Sequence, residues 1–253
     1  MDWSSPPDEK QFPDAFEISE RIVPPNLPTT LFFQSTLNKY HVDSAKTVGD
    51  AHAKYIEGIC GAICDGIDKW MKLATVVGVV VNGPTGMLLP GNVIGPPLGP
   101  LILASAPMNT PQEMKYSNAI ANAFGPLWLA WHMGLMGTLA YPPLASVPAP
   151  VAPPTPNVPM PLIALTSVGE AGLSPASLKG MMFANLADPQ ALHASDLFDA
   201  ISQAFNTVFQ TFKSTTTMKN VMGTGQVPSF KPPFSPVGPV VGGTGIGPPS
   251  GIS

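Results

Sequence analysis

Charged side chains are scarce in this sequence. They make up 11% of the residues, against ~25% in a typical soluble domain. Eighteen of them lie within residues 1–72, ten lie in residues 73–253, and the only arginine is Arg21. A surface with so little charge would be poorly soluble if all of it faced water. We therefore expect much of residues 73–253 to face other protein, or lipid.

Basic clusters and catalytic motifs are also missing. The net charge is -4 and the Lys and Arg residues form no cluster, which excludes direct nucleic-acid binding. His41, His52, His132 and His193 share no metal-ligand spacing, and neither His-Glu-x-x-His nor Gly-x-Ser-x-Gly occurs. We therefore predict a protein that is not an enzyme and that uses no cofactor or metal.

Cysteine is nearly absent. Cys60 and Cys64 are the only two, and they lie four residues apart in one predicted helix, where a disulfide is geometrically awkward. Because no paired histidines lie nearby, they predict buried thiols and not a zinc site. The first residues, 1–9, contain no positive region and no apolar run, so we expect synthesis in the cytoplasm without a signal peptide.

Proline and glycine, in contrast, are abundant. The chain contains 32 Pro and 24 Gly, yet 44% of its residues are hydrophobic. Proline removes a backbone donor and glycine raises the entropy cost of ordering. This composition predicts a chain that buries apolar surface without long regular elements, and that needs neighbours to hold its extended segments.

Three helix-sized segments share one apolar pattern without a gap. In each, the matched positions are spaced four, four, four and three residues apart, which keeps them on one helix face. A Pro/Gly-rich stretch follows each segment. The pattern predicts one helix-plus-arm unit used three times. The predicted interaction faces are Tyr55, Ile59, Ile63, Ile67 and Trp70; Tyr116, Ile120, Phe124, Trp128 and Trp131; and Leu197, Ile201, Phe205, Phe209 and Phe212.

These units predict an irregular α+β fold with long extended Pro/Gly-rich segments. Residues 75–81 are β-branched and apolar and predict a strand buried on both faces. The predicted organisation is an N-terminal anchoring arm (1–42), a first unit (43–108), a second unit (109–165), a bridge (166–195), and a third unit with a C-terminal arm (196–253).

Two of the proline-rich segments carry a resemblance. Val151-Ala-Pro-Pro-Thr-Pro-Asn-Val-Pro-Met-Pro-Leu162 and the stretch from Val227 to Gly243 resemble segments of small Pro/Gly-rich structural proteins of phage tails and contractile injection particles. Residues 147–161 are expected to be largely polyproline II. The predicted arm contacts with neighbouring subunits are Val93, Ile94, Val151, Val158, Val227, Phe230, Phe234 and Val240.

The resemblance implies a structural component of a large bacterial or viral particle, in its tail, baseplate or spike region. Its partners would be other protein subunits, and three similar units would suit a threefold or sixfold axis. The chain would then be part of a virion or phage-tail-like particle.

Two alternatives stay open. Residues 125–140 are almost free of charge and contain Trp128 and Trp131, so the chain could contact a membrane interface, although this segment is shorter than the ~20 residues that span a bilayer. An enzyme with scattered residues such as His132 and Asp199 is the second alternative, and no motif favours it.

Overall fold

The computed structural model describes residues 36–142, 150–188, 191, 193–228 and 239–253. The chain divides into two compact parts, Met1–Gly58 and Ile59–Ser253. The boundary falls within the first helix, and the part Ile59–Ser253 contains the described strands and the remaining described helices. Most of the predicted N-terminal arm lies outside the described residues.

The fold is mixed α and β, as the sequence predicted. The described helices are α1 (Thr36–Leu73), α2 (Leu98–Leu103), α3 (Pro111–Met133), α4 (Pro175–Leu186) and α5 (Ala194–Thr215). The three matched segments lie in α1, α3 and α5. Each of these helices is followed by a strand after a single linking residue, which is Ala74, Gly134 or Thr216.

The start of α3 follows directly from local sequence. Thr110 accepts a hydrogen bond from the Glu113 backbone N–H, and the Glu113 carboxylate accepts one from the Thr110 N–H, which completes a capping box. Pro111 occupies the first helical position, where its missing N–H costs nothing. The helix then continues through Pro126.

The strands form mainly one antiparallel sheet. The described strands are β1 (Thr75–Asn82), β2 (Thr85–Leu88), β3 (Val93–Ile94), β4 (Leu135–Ala140), β5 (Val151–Pro156), β6 (Met160–Pro161), β7 (Thr166–Ser167), β8 (Thr217–Met218), β9 (Met222–Gln226) and β10 (Gly243–Gly247). The order of the sheet is β5-β9-β10-β1-β2-β4-β7, with β3 also paired to β1, while β6 and β8 form a separate pair.

Strand β1 differs from its prediction in one respect. It was predicted to be buried on both faces, but its burial alternates, with Val79 and Val81 buried and Val80 exposed. One face of the sheet therefore remains open. The β1–β2 turn is formed by Gly83 and Pro84, and Gly83 has φ +62°, the left-handed conformation required at the first position of a type II′ turn.

The Pro/Gly-rich segments are built into the fold where the structure describes them. Residues 151–156, predicted as polyproline II, form edge strand β5 and pair with β9. Pro153 and Pro154 fall where the β5–β9 register shifts, the position in a sheet that tolerates proline. The predicted C-terminal arm contains β10, which lies between β9 and β1. An irregular fold with long extended arms therefore does not describe these segments.

The sheet curves around Tyr141. A Cβ atom placed on Gly86 of β2 or on Gly223 of β9 would lie 2.7 Å from the Tyr141 ring, and one on Gly245 of β10 would lie 2.9 Å from its hydroxyl. In a flat sheet, three strand spacings would separate β9 from β2 by roughly 14 Å. One ring can approach both strands only because the sheet curves. The Val158 N–H donates to the Ala140 carbonyl at 2.8 Å, which joins the chain after β5 to the end of β4.

Candidate interaction surface

The open face of the sheet is a surface feature of the compact part Ile59–Ser253. A straight row of cross-strand neighbours passes over five strands, from Thr224 through Thr244, Val80 and Met87 to Thr138. Thr224 is half-buried and its hydroxyl donates a 2.6 Å hydrogen bond to the Ala152 carbonyl, whereas the other four are exposed. These side chains are short or unbranched at the tip, so they form an even surface.

This face is apolar for an exposed surface. Met87 is 52% exposed, Ile246 is 59% exposed and Val80 is 36% exposed. Met222 pairs with Ile246 and is also exposed. None of the ten strands that the structure describes contains Asp, Glu, Lys or Arg. An exposed apolar area without charge is typical of a site that contacts another macromolecule.

The edges of the sheet are less available for contact with another chain than its open face is. At one end, β5 contains prolines that cannot donate to a further strand, which is a common protection of sheet edges. At the other end, β7 consists only of Thr166 and Ser167. Extension of the sheet by a foreign strand is therefore disfavoured, and the sheet is more available for contact through its open face.

The predicted helix-face residues lie inside the protein. Four of the fifteen, Ile67, Tyr116, Leu197 and Phe212, are half-buried, and the rest are buried. Their rings pack on one another: Trp70 contacts Trp128 edge-on with centroids 5.2 Å apart, and Phe124 contacts Phe205 edge-on at 4.8 Å. The buried members are Tyr55, Ile59, Ile63, Trp70, Ile120, Phe124, Trp128, Trp131, Ile201, Phe205 and Phe209.

The predicted arm contacts divide into three groups. Ile94, Val151 and Val158 are exposed and available to neighbours. Val93, Val227 and Val240 are buried within this chain. Phe230 and Phe234 lie outside the described residues.

His132 is a packed residue of the aromatic core. It is 1% exposed, and its Nδ1 lies 2.9 Å from the Trp128 carbonyl, so Nδ1–H donates to that oxygen. Burial lowers the pKa of His132, and the bond to Trp128 opposes this shift in part. Within the described residues, its Nε2 and the indole N–H groups of Trp70, Trp128 and Trp131 have no hydrogen-bond partner. Edge-on ring contacts give indole N–H groups a weak alternative acceptor.

Asp199, the other residue of the enzyme alternative, has different neighbours. Its carboxylate lies 3.3 Å from the Lys179 Nζ and accepts a 2.7 Å hydrogen bond from the Gln203 amide. In the part of the chain that the structure describes, no three His, Cys, Asp or Glu side chains are grouped as metal ligands. Cys60 is half-buried and Cys64 is exposed, so the prediction of two buried thiols is wrong for Cys64. Burial raises the pKa of both thiols.

The tryptophans of residues 125–140 do not face outward. Trp128 and Trp131 are fully buried, and only Leu129 and Met133 expose large apolar side chains in that part of α3. Among the described residues, no helix has the length and apolar content to cross a membrane.

Sequence reasoning missed the residues of the open face. The signal available was the absence of charge from every Thr/Val/Gly-rich segment, but the face itself depends on which strands pair. The chain matches no protein family, and no curated protein or solved structure is significantly similar to it.

Proposed function

We propose that this protein is a non-enzymatic structural component of a large bacterial or viral particle, in the tail, baseplate or spike region. It would bind neighbouring protein subunits there through its three helix-plus-strand units. The observation that carries the proposal is the open, uncharged face of the sheet, with Val80, Met87 and Ile246 exposed on it. Exposed apolar residues on a surface without charge favour contact with other protein.

The arrangement of the units adds support. The first unit supplies β1 and β2, the second supplies β4 and β5, and the third supplies β9 and β10 to the same sheet. Strands from all three predicted units are therefore hydrogen-bonded into one sheet and are not loose arms. Rigid surfaces lose little conformational entropy on binding, which suits a permanent subunit contact.

Sedimentation of a native source lysate through a density gradient, with mass spectrometry of each fraction, tests the proposal. We expect the chain to migrate with a large, detergent-resistant particle. Migration as a small free species would overturn the proposal. Migration with membranes that is lost in detergent would replace it with membrane docking.

Substitutions test whether the open face is required for association with the particle. Met87→Lys places a charge in the centre of the face and should release the protein from the particle, because a buried unpaired charge is costly. Val208→Lys is the matched control, since Val208 is 58% exposed on α5, away from the sheet. Equal association of both variants with the particle would show that the open face does not contribute to assembly.

A further inference from the structure

Asn82 and Gly83 form the only Asn-Gly step in the sequence, and they lie where β1 ends and the chain turns towards β2. Asparagine is most prone to deamidation before glycine, because glycine has no side chain to hinder attack by its own backbone nitrogen. Asn82 is exposed, and it pairs with Thr85 across the β1–β2 turn. This step is therefore a candidate site for a covalent modification.

Residues 239–242, which we call the covering segment, contact both residues of this step. The Gly83 N–H donates to the Val240 carbonyl at 2.7 Å. The Asn82 Oδ1 accepts a 2.8 Å hydrogen bond from the Gly242 N–H. The covering segment is itself anchored by the side chain of Val240, which is 1% exposed.

We propose that Asn82 is a deamidation site that the covering segment protects, so that the modification occurs only when this segment is detached. In the reaction, the Gly83 backbone nitrogen attacks the Asn82 Cγ. The new N–Cγ bond forms as the Cγ–Nδ2 bond breaks, and Nδ2 leaves as ammonia with the proton of the Gly83 amide. Water then opens the cyclic imide at either carbonyl and leaves aspartate or isoaspartate.

The hydrogen bonds to the covering segment oppose the first step of this reaction. The Gly83 nitrogen must lose its proton to attack, and the Val240 carbonyl holds that proton in a hydrogen bond. The bond from the Gly242 N–H fixes the side-chain amide of Asn82. Asn82 is also the last residue of β1, and an extended backbone does not bring its Cγ over the next nitrogen. Detachment of the covering segment removes both hydrogen bonds and releases the turn.

The two products alter the turn in different ways. Aspartate keeps an oxygen that accepts from the Gly242 N–H, and it places a charge in a strand that has none. Isoaspartate adds one carbon to the backbone, so the pairing of Asn82 with Thr85 loses its register. The modification therefore leaves a permanent record in chains whose covering segment has been detached.

Peptide mapping of the full chain during incubation at mildly alkaline pH tests the proposal, with electron-based fragmentation to distinguish isoaspartate from aspartate. We expect Asn82 to deamidate at least about a hundredfold more slowly in the folded chain than in the urea-unfolded chain, because only the detached population reacts. Rates within about tenfold of each other would overturn the proposed protection.

Three substitutions separate detachment of the covering segment from unfolding of the whole chain. Val240→Ala removes part of the buried anchor and should raise the rate in the folded chain about tenfold. Val241→Ala, at a side chain that is 54% exposed, should leave the rate unchanged. Leu186→Ala in α4 also opens a buried site and should lower the melting temperature without changing the rate. An unchanged rate in folded Val240→Ala, or an equal increase in Leu186→Ala, would overturn the proposal.

Hydrogen exchange of the Gly83 amide in the wild type gives a second measure that does not depend on any variant. Exchange and deamidation should be slowed by a similar factor in the folded chain, because both need the same detachment. Exchange of this amide that is slowed far less than deamidation would contradict the proposal.

Discussion

At the scale of single residues, Tyr141 shows how this sheet uses glycine. Its ring fills space that side chains at Gly86, Gly223 and Gly245 would otherwise occupy. The hydroxyl is buried and has no hydrogen-bond partner among the described residues. Burial raises the pKa of Tyr141 to about 12. The ring stabilises the curved sheet by packing, while the hydroxyl opposes that stabilisation.

Tyr141→Phe separates these two contributions. We expect the free energy of unfolding at pH 7 to stay the same or rise by up to about 1 kcal/mol, because an unpartnered buried hydroxyl is removed. Tyr141→Leu removes the ring and should lower it by roughly 3 kcal/mol. Urea denaturation measures both. A clear loss of stability in Tyr141→Phe would mean that the hydroxyl has a partner.

The same substitution changes the response to alkali. The pKa of Tyr141 in the folded state is about 12, above the ordinary value of ~10. Folding therefore favours the neutral form of Tyr141. This preference contributes fully to the free energy of unfolding below pH ~10, and the contribution is lost as the pH rises through 12. Wild type should lose stability over this window more steeply than Tyr141→Phe. Thermal unfolding at pH 8 and pH 11 gives the comparison.

His132 predicts the opposite dependence at low pH. Burial lowers its pKa below the ordinary value of ~6.5. Its contribution to stability is complete above pH ~6.5 and is lost as the pH falls through the lowered pKa. His132→Gln should remove this acid-side loss, whereas His193→Gln, at the start of α5, should retain it. Urea midpoints measured from pH 7.5 to pH 4.5 would reveal the difference.

At the scale of elements, the glycines of β10 explain why the sequence alone did not predict this strand. Gly243, Gly245 and Gly247 face the inside of the sheet, where a Cβ atom on Gly243 would lie 2.3 Å from the Thr224 carbonyl. Strand propensity disfavours glycine, so a glycine-rich segment is typical of a loop. The packing that requires glycine here comes from β9 and Tyr141, which are distant in the sequence.

Two glycine substitutions should therefore have opposite effects. Gly243→Ala places its Cβ against the backbone of β9 and should destabilise the protein by about 2 kcal/mol or more. Gly61→Ala meets nothing within 4 Å on α1 and should stabilise it by up to ~1 kcal/mol, because alanine is the better helix former. Melting temperatures measure both. Similar shifts of the two variants would contradict this account of the inner face.

Helix ends were more predictable than strands because their signals are local. The capping box of Thr110 and Glu113 and the end of α1 at Leu73 could both be predicted from adjacent residues. Helix starts are harder to predict where several capping residues lie close together. Helix α1 begins at Thr36 although Asp43 is also a suitable cap, and α5 begins at Ala194, with His193 as its N-cap, although Ser195 is the better capping residue.

At the scale of the whole molecule, strands from all three predicted units pair in one sheet. The sequence predicted three helix-plus-strand units but not whether they pack together. That outcome depends on long-range strand pairing, such as Val81 with Gly243, which no local pattern specifies. The unit boundaries themselves stay predictions. The open face could not be predicted for the same reason, since Thr224 and Thr138 become parts of one row only after five strands pair.

Removal of residues 243–253 tests this shared architecture. The deletion removes β10 and exposes both β1 and β9, so we expect loss of cooperative thermal unfolding. A detachable arm would instead leave the transition unchanged. Ile246→Thr is the matched control, because it keeps the strand and changes only an exposed side chain. Circular dichroism during heating distinguishes the two results.

The position of β10 also has a consequence for synthesis on the ribosome. Strand β1 is synthesised well before its partner β10, so the sheet cannot close until residues 243–247 have emerged from the ribosome. Until then, the uncharged β1–β2 hairpin lacks its neighbour on the β1 side and exposes an unpaired edge. Such transient edges aggregate readily. The nascent chain is therefore expected to depend on chaperones, and its yield should fall more steeply with expression rate than that of a protein whose strands pair in order.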